Sequence, residues 1–184
     1  MSNGKLILAE KQDAIYSWIK NELIGVIDAG SIIWRQQSEA LPPRPCVTMK
    51  ITEGPVSTGF GDNVMYRSSD QKFTIGGQRT MSVSIQVFGN TMVSSPMAYQ
   101  TGIDLHASLG KPSVLDVLRF AGISVQHRSG VSNLTALEET EYEERSQFDV
   151  VLGVAENVVD DPGYIDHVNI QPVIDGESKP PING

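Results

Sequence analysis

Two segments of this chain alternate apolar and polar side chains so regularly that they restrict it to folds built around a half-covered sheet. In Arg79 to Phe88, the side chains of Met81, Val83, Ile85 and Val87 fall on one side. Thr80, Ser82, Ser84 and Gln86 fall on the other. In Gln147 to Val154, Phe148, Val150, Leu152 and Val154 are in phase. A strand with one polar face belongs to a mainly antiparallel sheet packed on one side only. A third segment, Cys46 to Thr52, places Val47, Met49 and Ile51 opposite Thr48, Lys50 and Thr52. Apart from Cys46, none of these strands carries a reactive group. They describe a sheet that holds surfaces in place.

The remaining periodicity is helical. Ile15, Trp18, Ile19, Leu23 and Ile27 recur at three- and four-residue steps, which predicts an amphipathic helix over Leu6 to Asp28. Gly30 is the expected left-handed cap. Burying those five side chains contributes about 10 kcal/mol before chain entropy is subtracted. A short strand is expected at Ile32 to Arg35, with Trp34 in the core and Arg35 facing a partner. Pro42, Pro43 and Pro45 then stiffen the chain, because none can donate to a ladder. Two more helices are expected, Ser95 to Leu109 and Ser113 to Ala121, stopped by Gly110 and Gly122. Ser113 and Asp116 have the spacing of a capping box. Ile123 to His127 reads as a short strand.

Glu53 to Gly77 reads as the longest irregular region of the body, broken by Gly54, Pro55, Gly59 and Gly61. Val64 to Tyr66 and Lys72 to Ile75 can pair within it, which predicts a protruding hairpin arm. Beyond Asp160 the composition turns to proline and glycine, and an extended tail is expected, with a short strand around Tyr164, Val168 and Ile170. The expected fold is therefore α+β: a mainly antiparallel sheet of four to five strands, helices on one face, a long hairpin arm and an extended tail. The expected organisation is one domain over residues 1–159 and an extended segment over 160–184.

Charge and chemistry narrow the function. Residues 1–137 carry 12 basic and 10 acidic side chains, whereas residues 138–177 set Arg145 against 12 acidic ones. That imbalance disfavours a nucleic-acid face at the C-terminal end and suits either a solvated surface or a basic partner. No run approaches a membrane span, and MSNGKLILAEKQ is too poor in apolar residues for a secretory leader, so a protein made in a cytoplasm is expected. The single cysteine, Cys46, opens an apolar strand and reads as a core residue. His106, His127 and His167 are dispersed and form no metal-binding pattern. Asp160, Asp161 and Asp166 lack the spacing of a calcium loop. The glycines of TGFGD and Gly76-Gly77 form no phosphate loop and read as turn residues. No cofactor and no metal are expected. Tyr142 to Arg145 (YEER) has two readings, a charged strand entrance or an inter-subunit ion-pair site built on Arg145.

The order of these segments carries a resemblance. AIYSWIKNEL precedes IIWRQQSEALPPRP, then VTMKI, a variable arm, RTMSVSIQVFG, DLHASLGKPSVLDVLRFAGI and YEERSQFDVVLGV. This ordered set, over about residues 10–170, resembles the neck or tail terminator proteins of tailed bacteriophages, especially contractile-tailed ones. The resemblance implies a structural virion protein, not an enzyme, that forms a ring, expected to be a hexamer, on the head-proximal end of the tail tube. Such a ring is assembled in the host cytoplasm, stops tube growth and offers a docking surface to the head connector or stopper protein. It can also touch the last sheath ring and lets DNA pass. On this reading the contact residues are Arg35 and Arg44 by the proline loop, Phe60, Tyr66, Arg67, Lys72 and Phe73 on the arm, Tyr142, Glu143, Glu144 and Arg145 before the last strand, and Tyr164 on the tail. The rival readings are a head-completion adaptor, a tail tube subunit, or a small hydrolase using Cys46, His106, His127 and nearby carboxylates.

Overall fold

The computed structural model describes residues 8–35, 40–59, 61–67, 72–89, 97–138, 141–161, 163, 173–174 and 177–178. Among them, three helices pack against one face of a mixed, mostly antiparallel open sheet of seven strands. The chain order is α1 (Leu8–Glu22), a 3-10 turn, β1 (Ile32–Trp34), β2 (Cys46–Ser57), β3 (Asn63–Arg67) and β4 (Lys72–Phe88). Then follow α2 (Met97–Ser108), α3 (Pro112–Phe120), β5 (Ile123–Arg128), β6 (Ser132–Asn133), β7 (Ala136–Glu138), β8 (Glu141–Glu143) and β9 (Arg145–Asp160). Five strands form a continuous path, β1-β2-β4-β9-β5, while β3 pairs with β4 and β6 with β9. The sequence suggested four to five strands because the two short additions carry no alternation of their own. Among the described strands, only β1 and β2 run parallel. Two separate hairpins, β7–β8 and β10 (Val173–Ile174) with β11 (Glu177–Ser178), lie outside the sheet. The strand expected around Tyr164 to Ile170 lies outside the described residues.

The expected inward set is the core. Met81, Val83, Ile85 and Val87 of β4, Phe148, Val150, Leu152 and Val154 of β9, and Val47 and Met49 of β2 are all buried. They form one cluster with Ile15, Trp18 and Ile19 of α1, Ala98 and Leu105 of α2 and Val114 and Leu118 of α3. Because β4 and β9 keep an unbroken register from Phe73↔Asp160 to Phe88↔Arg145, Met81, Val83 and Ile85 face Leu152, Val150 and Phe148, while Val87 faces the buried Ser146. Polar bonds join α1 to the other helices: Trp18 Nε1 donates to Ser108 Oγ at 2.9 Å, and Lys11 Nζ donates to the Ala121 carbonyl. α2 approaches β9 most closely at Gly102, where an added Cβ would lie 2.5 Å from Ser146 Oγ and 3.2 Å from Val131 Cγ1. Ser146 Oγ uses that space to donate to the Ala98 carbonyl at 2.7 Å. None of the described helices is long and apolar enough to cross a membrane.

Three local expectations need correction. First, α1 ends at Glu22 rather than near Asp28, because Gly25 (φ 79°), not Gly30, takes the left-handed position. Val26 and Ile27 then donate back to the Leu23 carbonyl, so Leu23 and Ile27 stay buried in a turn, not a helix. Second, α3 begins with Pro112 at its first turn and Lys111 as its cap, with no side-chain capping bond. Proline is preorganised for that position, and Asp116 pairs instead with Arg119 at 3.0 Å. Third, Glu53 to Gly77 is largely strand. β2 passes through Gly54 and Pro55 by two register shifts against β4, between Ile51 and Glu53 and between Glu53 and Val56. A bulge absorbs a proline that has no N–H to donate.

Candidate interaction surfaces

The ends of β4 define two surfaces. At the Lys72 end, β4 runs beyond the helices and carries β3 on one side and the last residues of β9 on the other, as a three-stranded ribbon. The expected pairing of Val64–Tyr66 with residues 72–75 is present, in the register Val64↔Ile75 and Tyr66↔Phe73. Register fixes which side each residue faces. Phe73 and Ile75 are in phase with Met81 and Val83, so the core-side face of the sheet continues outward as Tyr66–Phe73 and Val64–Ile75–Val158. Val64 is 61% exposed, Tyr66 56% and Val158 41%. The Tyr66 and Phe73 rings lie 5.0 Å apart and are tilted by 48°. The opposite ribbon face is more polar. It presents Met65, Arg67, Lys72, Asn157 and Val159, with Lys72 Nζ 3.2 Å from Asp161.

A charged fence separates this apolar stripe from the core. Arg79 donates from both terminal nitrogens to Asp62, at 2.6 and 2.8 Å, and from Nε to Glu156 at 3.2 Å. The bidentate bond from Arg79 holds the Asp62 carboxyl below its ordinary value, against a smaller opposing effect of desolvation. Gly77 makes the fence possible. A Cβ there would lie 2.0 Å from Asp62 Oδ1 and 2.3 Å from Arg79 Nη1. The sequence assigned Gly76 and Gly77 to turn chemistry; both are strand residues whose missing side chains admit their neighbours' polar groups. The fence joins positions 62, 79 and 156, whose adjacency exists only after β3, β4 and β9 are aligned.

At the Phe88 end a second cluster gathers four of the expected contact residues. Arg44 bonds Glu143 at 3.0 Å. The guanidiniums of Arg44 and Arg145 stand 5.9 and 5.4 Å from the centre of the Phe88 ring. Glu144 lies beside Gly89, whose N–H donates to the Glu144 carbonyl at 2.9 Å. Burial pushes the Glu144 carboxyl above its ordinary value, while the Ala98 N–H, donating to it, pulls the other way. Among the described residues, several buried polar atoms here and on the neighbouring edge strand find no hydrogen-bond partner: Glu144 Oε1, Arg145 Nε, Trp34 Nε1 and Arg35 Nε. Trp34 packs against the core and Arg35 donates its backbone N–H to Met49.

The expected contact residues therefore separate into two groups. Tyr66, Arg67, Lys72 and Phe73 lie on the ribbon, while Arg44, Glu143, Glu144 and Arg145 lie about Phe88, with Arg35 on the sheet edge next to β2. Tyr142 pairs with Leu137 in the β7–β8 hairpin. Phe60 and Tyr164 lie outside the described residues. The ionised partner that Arg44 meets in this chain is Glu143 of the same chain. The sequence reading missed the turn at Ile24 and Val26, 74% and 45% exposed, and Phe120, 94% exposed. Helical phase alone could have flagged Ile24, which falls off the stripe of Ile15, Ile19 and Leu23.

The chemical candidates do not assemble. Cys46 is fully buried at the start of β2, and burial raises its thiol above the ordinary value despite nearby Arg44 and Arg35. His106 packs edge-on against Phe148, 5.6 Å between ring centres, and His127 pairs with Val151 in the sheet. Among the described residues no group of three or more His, Cys, Asp or Glu side chains is arranged to hold a metal ion.

A search of curated proteins returns no match. A family model described as phage neck terminator protein matches residues 12–177, which takes in α1 from residue 12 onward, α2, α3 and the whole seven-stranded sheet. The chain belongs to the phage neck terminator family, and is a structural protein of the phage tail.

Proposed function

We propose that the chain is a ring subunit of the neck, sitting on the head-proximal end of the tail tube, where it stops tube growth and presents a platform to the head connector. The observation that carries this reading is the ribbon. It extends the sheet past its helices with an apolar stripe exposed and a charged fence holding it in line, in a chain of the neck terminator family. A side of a sheet that is covered by helices along one half and bare along the other is built to receive a neighbour. Six copies joined head to tail make a closed annulus without a further component. One annular face then matches the tube and the other does not recruit more tube subunits, so growth ends by shape. Arg35, Arg44 and Tyr142 to Arg145 belong to the second contact surface, and the acidic stretch 138–177 faces a basic partner. The connector and the terminal sheath ring are the candidates for that partner. DNA crosses the open centre without sequence-specific contact.

The test is tube elongation. Purified tail tube protein is allowed to polymerise with and without this chain, and lengths are read by electron microscopy. The reading expects shorter tubes, each ending in an added ring. Tubes of unchanged length with no terminal density would contradict it, and incorporation of the chain along the tube would favour a tube subunit instead.

A further inference from the structure

The two surfaces stand at opposite ends of one strand. Phe73 and Phe88 of β4 are separated by about 50 Å at the usual rise per strand residue. At the ribbon end lies an apolar stripe, Val64, Tyr66, Phe73, Ile75 and Val158, with Asp160 level with Phe73 at its tip. At the Phe88 end, the turn after α1 projects Ile24 and Val26. Val26 also lines a cleft of about 270 Å³ with Ile27, Asp28, Pro43 and Arg44, and the Arg44 side chain is 31% exposed. One end therefore offers an apolar stripe tipped by a carboxylate. The other offers an apolar knob beside a cleft holding a guanidinium, which has donors to spare beyond its bond to Glu143.

We propose that these are the two halves of one contact: the core-side face of the ribbon of one copy packs on the Ile24–Val26 turn of the next, with Asp160 directed to Arg44. Three features favour a second copy of this chain as the occupant. The stripe continues the side of the sheet on which this chain's own helices pack, so it fits the rim of that same helical layer. Charge and apolar character are complementary between the ends. Finally, the halves sit at opposite ends of the same molecule, the arrangement that gives head-to-tail rather than two-fold assembly. The fence of Asp62, Arg79 and Glu156 fixes the ribbon before docking, which lowers the ordering cost of association. The inference rests on the ring reading and specifies its subunit contact.

The experiment uses the full chain, whose single native thiol, Cys46, is buried and unreactive. Val64→Cys and Ile24→Cys are made separately, mixed and treated with a short bismaleimide, and linked peptides are mapped by mass spectrometry. A link between positions 64 and 24 in the mixture, with neither variant linking to itself, is expected. In parallel, Val64→Asp is expected to weaken self-association at least roughly tenfold by sedimentation, whereas Val159→Asp, on the other ribbon face, leaves it unchanged. Links of 64 to 64 would overturn the proposal in favour of a two-fold contact. A finite oligomer with no 64–24 link and no response to Val64→Asp would overturn this contact and leave the ring reading intact. A chain that sediments as a monomer at every concentration would overturn both.

Discussion

Ser146 and Gly102 show how little room this core leaves. The Ser146 hydroxyl is buried, donates to the Ala98 carbonyl and occupies the space that a Gly102 side chain would need. Gly102→Ala is expected to force α2 off β9 and to cost about 1–3 kcal/mol, a fall of several degrees in Tm by calorimetry. An unchanged Tm would mean that α2 can slide without loss. Glu144 is the second informative residue. Its carboxyl is raised in the folded chain by burial, so the folded state holds the proton more tightly than the unfolded one. The corresponding stability is present in full below the ordinary glutamate value of about 4.3 and is lost as pH rises through the folded value. Glu144→Gln stays neutral throughout. It is expected to raise Tm at pH 7, with the advantage shrinking as pH falls towards 4. A destabilisation at pH 7 that fades as the pH falls towards 4 would show instead that the charged carboxylate is needed by the Ala98 N–H.

At the scale of elements, the ribbon depends on its fence. Asp62 is held below its ordinary value by Arg79, so the contribution of this pair is present above about pH 3.9, where the unfolded group is ionised, and is lost as pH falls through the depressed value. Asp62→Asn is expected to speed amide exchange across Asn63–Arg67 several-fold at pH 7, with variant and wild type converging once the wild-type carboxyl is protonated. Equal protection at pH 7 would show that β3 is held by its ladder to β4 alone. This element also marks where sequence reasoning stopped. The alternation of β4 and β9 was legible because each inward residue is apolar and the register has no break. The stretches beyond the alternation were harder: Lys72 to Ile75 was expected to pair with Val64 to Tyr66, but Gly76, Gly77 and Asn157 carry no alternating pattern and are strand only through pairing. The same applies to Gly54 and Pro55, whose local preference for a turn is overridden by the bulged register of β2. Of the expected contact residues, those on the ribbon and those about Phe88 could be named individually. Their division between two ends of one strand required the sheet.

For the whole molecule, the proposed contact between the apolar stripe of the ribbon and the Ile24–Val26 turn would let one small chain define an annulus. Among the described residues both ends stay exposed, and β4, about 50 Å from Phe73 to Phe88, would set the scale of the repeat. Closure distinguishes a terminator from a tube subunit: the same contact repeated without closure would build an open filament. The most direct measurement is the mass of the purified assembly by native mass spectrometry, with its outline checked by electron microscopy. A single closed ring of six chains is predicted, unchanged as concentration rises. A strictly monomeric chain, even with tube protein present, or filaments of unlimited length would contradict it.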